Sequence, residues 1–108
     1  MPIGSFQAVA NRLVDVRVSL DAARALLYET AWRFDRGEQD ATSAAAAKLF
    51  ASETVLTGAL ELLRIHGGHG FTRQLPFARR LRDAVGGPLY SGTSDVMRRI
   101  IARGMGLS

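Results

Sequence analysis

Apolar residues recur at steps of three and four through the first third of the chain: Val9, Leu13, Val16, Leu20, Ala23, Leu27, Ala31 and Phe34. Because 3.6 residues complete a helical turn, that spacing gathers them on one stripe of an α-helix. The pattern predicts a helix over residues 5–36, with Ser5 as its cap and Gly37 as its C-terminal stop. At 1.5 Å per residue such a helix is about 45 Å long. That length favours a bundle over a compact orthogonal fold.

The polar break Gly37-Glu38-Gln39-Asp40 leads into a second long helix, capped by Thr42 or Ser43. The alanine run at 44–47 has very high helix propensity. Leu49, Phe50, Val55, Leu56, Ala59, Leu62 and Leu63 carry the apolar face on to Ile65. There His66-Gly67-Gly68-His69-Gly70-Phe71 forms a glycine-rich stop with room for positive φ. Pro76 suits the first turn of a short helix reaching Ala84, which Gly86-Gly87-Pro88 ends. Gly92-Thr93-Ser94-Asp95 reads as the capped start of a last helix over 96–103, with Val96, Ile100 and Ile101 inward. Strand patterns are nearly absent, and there is no repeat or low-complexity linker. The expected architecture is all-α, an up-and-down helical bundle formed by one domain over residues 1–108.

Composition narrows the function classes. At 47% hydrophobic the chain can bury apolar surface, which argues against intrinsic disorder. The absence of Cys excludes a disulfide framework, a thiolate metal site and a thiol nucleophile. No uncharged run approaches the ~18 residues of a membrane span. Met1-Pro2-Ile3-Gly4 has no basic segment leading into an apolar one, so a soluble, cytoplasmic protein is expected. In 108 residues a cofactor-binding sheet, a substrate domain and a catalytic apparatus do not fit together.

The net charge of +4 comes from thirteen Arg and one Lys against ten acids. Arg12, Arg17, Arg24, Arg33 and Arg36 are interleaved with Asp15, Asp21, Glu29 and Asp35, the pattern of a solvated, mutually paired helix face. Only Arg79-Arg80-Leu81-Arg82 and Arg98-Arg99 cluster. No nucleic-acid partner is expected.

Candidate chemistry is sparse. His66 and His69 straddle two glycines with no carboxylate close by, which reads as loop histidines in local hydrogen bonds and not as a metal site. Ser91 and Ser94 lack a neighbouring base, and the acids sit mainly on outer faces. Two loops remain. Gly67-Gly68-His69-Gly70 lets a ligand approach bare backbone, although glycine-rich helix stops are common. Gly92-Thr93-Ser94 opens a helix where free N–H groups and the dipole favour an anion; an ordinary N-cap is the simpler use.

Several segments, taken in order, resemble the C-terminal helical domain of the acyl-CoA dehydrogenases. They are Pro2-Ile3-Gly4-Ser5-Phe6-Gln7, Ala22-Ala23-Arg24, Ala47-Lys48-Leu49-Phe50-Ala51-Ser52-Glu53, His66-Gly67-Gly68-His69-Gly70-Phe71-Thr72-Arg73, Leu81-Arg82-Asp83-Ala84 and Tyr90-Ser91-Gly92-Thr93-Ser94-Asp95-Val96-Met97-Arg98. The resemblance covers the whole chain. It implies a partial four-helix bundle from an enzyme that also has an N-terminal helical domain and a middle β domain. Such enzymes bind FAD and oxidise an acyl-CoA between its α and β carbons: a carboxylate takes the α proton while the β hydrogen passes as hydride to the flavin.

By the same resemblance, Gln7 falls where the FAD of a neighbouring subunit is contacted. Arg64, Ile65, His66, Gly67 and Gly68 fall on a loop approaching that cofactor. Thr93, Ser94 and Asp95 fall on the turn that touches flavin or its pyrophosphate. Ser91 stands where many members carry the catalytic Glu, and a hydroxyl with no adjoining base does not replace it. No catalytic residue is therefore assigned to this chain; some subfamilies place the base on the preceding helix. Arg64 replaces the usual Gln, and Asp95 is shorter than the usual Glu or Gln.

The implied function is a portion of a flavin-dependent acyl-CoA dehydrogenase that contributes FAD contacts and subunit interface. Alone, the chain is expected to be inactive and to bind FAD weakly or not at all. The alternative is a non-catalytic assembly subunit of a hetero-oligomeric acyl-CoA dehydrogenase. Either way an apolar stripe is left uncovered. It predicts a homo-oligomer, two helical hairpins completing one bundle, or pairing with a partner dehydrogenase subunit.

Overall fold

The computed structural model describes residues 2–107. A short 3-10 turn, Ile3–Ser5, precedes four helices: α1 (Gln7–Asp35), α2 (Ala41–Phe71), α3 (Phe77–Gly86) and α4 (Ser94–Gly104). No strand occurs among the described residues, so the all-α expectation is met.

Helix α1 begins two residues later than the periodicity predicts. Ser5 lies in the 3-10 turn and donates its hydroxyl to the Pro2 carbonyl, so Phe6 takes the cap position with no side-chain bond. The C-terminal stop at Gly37 is as expected. Gly37 adopts φ 84°, its N–H bonds Phe34 O at 3.0 Å, and Glu38 N–H bonds Arg33 O at 3.0 Å. That pair of bonds satisfies carbonyls the helix end would leave open.

Asp40, not Thr42 or Ser43, caps α2. Its carboxylate accepts from Thr42 N–H and from Ser43 Oγ, each at 2.9 Å. These two bonds, the Ser43 hydroxyl first, hold the Asp40 carboxyl below the usual carboxylate range. The helix also outruns the expected end at Ile65. Gly67 breaks the helical path at φ 61°, ψ −148°, and one further turn continues to Phe71. That backbone region is open in practice only to glycine.

Helix α2 is the hub. α1, α3 and α4 each pack against it and not against one another. The α1–α2 hairpin is antiparallel, and a Cβ built on Gly58 would lie 3.4 Å from Val16 Cγ1. On another flank of α2, His66 stacks on Phe77 at the start of α3. The loop after α3 returns to Lys48, and Ser94 at the start of α4 bonds Glu53. α3 and α4 thus lie in series along α2 and antiparallel to it. The result is three rods of 51 × 25 × 24 Å overall, with a radius of gyration of 16.6 Å. A compact domain of this size has about 13 Å.

The buried apolar side chains are three alanines, Ala23, Ala45 and Ala47, and Met97 of α4; no large side chain among the described residues is fully enclosed. Small residues allow the close rod spacing around α2. The line of α1 that faces α2 is Val16, Ala23, Leu26 and Thr30, rotated from the predicted stripe. Leu13, Leu20, Leu27 and Phe34 lie at its edge and stay exposed. A second apolar stripe, Val14, Val18, Tyr28 and Trp32, points to the far side of α1. On α4, Val96 is exposed and Met97 takes the inward place expected of it, while Ile100 and Ile101 are half-buried.

Candidate cofactor-contact site

The segment joining α3 to α4 is a tight polar turn. Leu89 and Tyr90 N–H groups bond Gly86 O at 2.9 and 3.0 Å, and Ser94 N–H bonds Pro88 O at 3.0 Å. Ser91 and Gly92 both take positive φ, 57° and 99°. Lys48 reaches the turn from α2 and donates to Gly87 O at 2.7 Å and to Gly92 O at 2.6 Å.

Of the three residues expected on this turn, each has a different fate. Thr93 is the N-cap of α4, its Oγ1 accepting from Val96 N–H at 3.2 Å. Ser94 is buried, and its hydroxyl donates to Glu53 Oε1 at 2.7 Å. Asp95 is exposed and pairs with Arg98 at 3.1 Å. Of these three side chains, only those of Thr93 and Asp95 are therefore presented outward. Ser91 is exposed, with no carboxylate or imidazole bonded to its hydroxyl among the described residues.

The second expected cluster sits at the kink of α2. Arg64 is exposed and pairs with Glu61 at 3.2 Å; Ile65 is half-buried. His66 donates from Nδ1 to Leu62 O at 2.7 Å and stacks on Phe77 with ring centroids 3.9 Å apart. Gly67 and Gly68 face open space. Gly70 is buried, where a Cβ would come within 2.7 Å of His66 Cβ and 3.1 Å of Leu63 O. No group of His, Asp and Glu capable of holding a metal occurs among the described residues.

The expected residues thus form two separate edges. Gln7 opens α1 and, by the antiparallel register set at Val16 and Gly58, lies level with the 64–68 kink. Thr93–Asp95 sit beside Glu53, which at 1.5 Å per residue is about 20 Å from His66 along α2. Between α1 and α3, over α2, runs an open apolar groove of 580 Å³ lined by Val16, Leu20, Val55, Leu62, Phe77 and Tyr90 among others. None of the nine expected contact residues lines it. Lys48 and Glu53 lie in the segment Ala47–Glu53 that carries the family resemblance, but no local pattern assigns them a role at this turn.

Arg73, Arg79, Arg80, Arg82, Arg99 and Arg103 are exposed without a carboxylate partner among the described residues, whereas Arg17, Arg33 and Arg64 are paired. No helix of the described residues is long and apolar enough to cross a membrane.

The family description "Acyl-CoA dehydrogenase, C-terminal domain" matches residues 1–106. The chain belongs to the acyl-CoA dehydrogenase family. It is 38% identical over 102 residues to an L-prolyl-[peptidyl-carrier protein] dehydrogenase of Pseudomonas fluorescens, an alignment covering 94% of this chain and 27% of that relative. Among solved acyl-CoA dehydrogenase folds, butyryl-CoA dehydrogenase from Megasphaera elsdenii superposes with a TM-score of 0.93 at 31% identity, over 97% of this chain and 27% of the other. The FAD complex of PigA superposes at 0.92 with 34% identity, again covering 97% and 27%. The chain therefore spans about a quarter of the length of these dehydrogenases.

Proposed function

We propose that this chain is the C-terminal bundle of a flavin-dependent dehydrogenase of acyl thioesters, supplying edge contacts to FAD and a surface for a further helical segment. The observation that carries this reading is the end-to-end family match on a three-rod bundle whose apolar groove is open along one side. Relatives named for L-prolyl-[peptidyl-carrier protein] and for butyryl-CoA support an acyl thioester as the substrate class.

The donor set fits FAD only at its edges. Gln7, Arg64 and the bare backbone at Gly67–Gly68 offer one polar edge, and Thr93, Asp95 and the first turn of α4 offer another. Ser94 offers neither donor, because its hydroxyl is committed to Glu53 and its N–H to Pro88 O. Two edges about 20 Å apart do not enclose a flavin. The cofactor, which supplies a hydride acceptor when bound, is held mainly by parts outside this chain. The same holds for the base. The Ser91 hydroxyl, without a neighbouring base, does not take an α proton near neutral pH.

Exposed apolar side chains on both flanks of α1 add a second part to the proposal: another helical segment covers them, and in the purified chain a second copy does so. Purified 108-residue protein is expected to carry no flavin absorbance, to reduce no dye with an acyl-CoA, and to run above monomer mass by light scattering at micromolar concentration. Stoichiometric flavin with acyl-CoA-dependent dye reduction overturns the first part, and a strictly monomeric mass overturns the second.

A further inference from the structure

The α3–α4 turn holds two successive residues in the left-handed region. At Gly92 this is natural: φ is 99°, and a Cβ there would lie 2.5 Å from Met97 Cε. At Ser91, φ 57° is disfavoured for a residue with a side chain, because Cβ crowds the carbonyl. Such a conformation persists only where its surroundings over-determine it.

Lys48 is what surrounds it. One half-buried ammonium bonds the carbonyl at each end of the turn, Gly87 O at 2.7 Å and Gly92 O at 2.6 Å. It has no carboxylate partner among the described residues, so the cation is compensated by carbonyl dipoles. Bonds to a charged donor are the stronger kind. Five residues on, Glu53 takes the Ser94 hydroxyl at 2.7 Å. α2 therefore grips the turn at three atoms and leaves the side chains of Ser91 and Thr93 exposed. Attachment of α4 does not need this grip, since Met97, Ile100 and Ile101 already lie against α2.

We propose that Lys48, together with Glu53, is the positioning residue of the 87–94 turn, fixing the direction of the side chain at 91 and the start of α4. This rests on the reading that the turn offers an edge contact to FAD. The ammonium sets the backbone; the exposed side chains do the contacting.

The test uses the full 108-residue chain, isotope-labelled, and needs no cofactor, so its outcome is independent of whether the turn meets FAD. In the unmodified protein the Lys48 ammonium is expected to give a slowly exchanging NMR signal correlated across hydrogen bonds with the carbonyl carbons of Gly87 and Gly92. In Lys48→Met, Ser91 is expected to lose its left-handed carbon shifts, and the Ser94 amide to exchange about tenfold faster, while amides of α1 and of Ala45 and Ala47 keep their protection. Lys48→Arg retains the turn. Ser91→Gly raises Tm in the unmodified protein by relieving the left-handed serine, and gains at most half as much in Lys48→Met. Unchanged turn signals in Lys48→Met, or protection lost evenly along α2, overturn the proposal. Should Lys48→Met not fold, the ammonium signal decides: its absence, or its lack of correlation with Gly87 and Gly92, overturns it too.

Discussion

The two sides of α2 are built on different terms. Toward α3 and α4 the contacts are directional: Lys48 on two carbonyls, Glu53 on Ser94, His66 on Phe77, with Met97 sealed beneath. Toward α1 no side-chain hydrogen bond crosses to α2 among the described residues. Ala23 is the one buried residue of α1, and the outer stripe leaves Val18 60%, Tyr28 66% and Trp32 55% exposed. One side is clasped by polar contacts within the chain, although Leu89 and Tyr90 stay 63% exposed there. The other keeps its apolar area for a cover, and burying each large side chain there is worth about 1.5–3 kcal/mol.

The sharpest way to break this contrast is to remove matched apolar side chains from both sides. Met97→Ala is expected to cost about 3 kcal/mol in urea unfolding, because it leaves a cavity. Leu27→Ala, on the exposed edge of α1, is expected to cost well under about 1 kcal/mol at concentrations where the chain is monomeric. Equal costs would dissolve the distinction.

A slightly smaller effect is expected from charging the open face. Val18→Arg combined with Trp32→Arg should weaken self-association about 100-fold in sedimentation equilibrium, with the helical circular dichroism unchanged. If the association constant does not move, the outer stripe of α1 is not the contact.

The kink and the hub differ again. Gly67→Ala is expected to destabilise by about 1–3 kcal/mol, since φ 61°, ψ −148° excludes a side chain. Gly58→Ala meets only an ordinary contact with Val16 and should gain up to about 1 kcal/mol from helix propensity. Opposite signs in parallel melts would show that Gly67 is required by its backbone conformation and that Gly58 is not required at all.

How much of this was legible in the sequence depends on the range of the forces involved. Helix number, order and the stops at Gly37 and Gly86-Gly87-Pro88 followed from local periodicity and glycine chemistry. The packing line of α1 followed only in part: Val16 and Ala23 belong to the predicted stripe, Leu26 and Thr30 do not. Large side chains dominate a periodicity reading, whereas the contact with α2 runs through Val16, Ala23 and Thr30. The outer stripe of Val14, Val18, Tyr28 and Trp32 has the same spacing, and a one-stripe reading passes over it. Asp40 displaced Thr42 and Ser43 as cap because one carboxylate serves both of their donors. Lys48 and Glu53 act on residues 39 to 44 positions away, and no local pattern reports that. Likewise the start of α4 at Thr93 and Ser94 is a local signal, whereas the inward hydroxyl of Ser94 depends on Glu53.

The smallest expected effect concerns acid. With the Asp40 carboxyl held low by Ser43 and Thr42, its contribution is present above the ordinary carboxylate range and is lost as pH falls through its lowered value. Asp40→Ala should lower Tm slightly at neutral pH and not at all in strong acid. A difference that persists in acid would point to the loss of something other than the charged cap.

The central claim is that this chain supplies one face of a dehydrogenase whose cofactor and base lie largely outside it. Its most direct test is the visible spectrum of the purified 108-residue protein after incubation with FAD and removal of free flavin, followed by addition of an acyl-CoA with an electron-accepting dye. The account predicts a colourless protein and no dye reduction. One bound flavin per chain, bleached on adding the thioester, would contradict it.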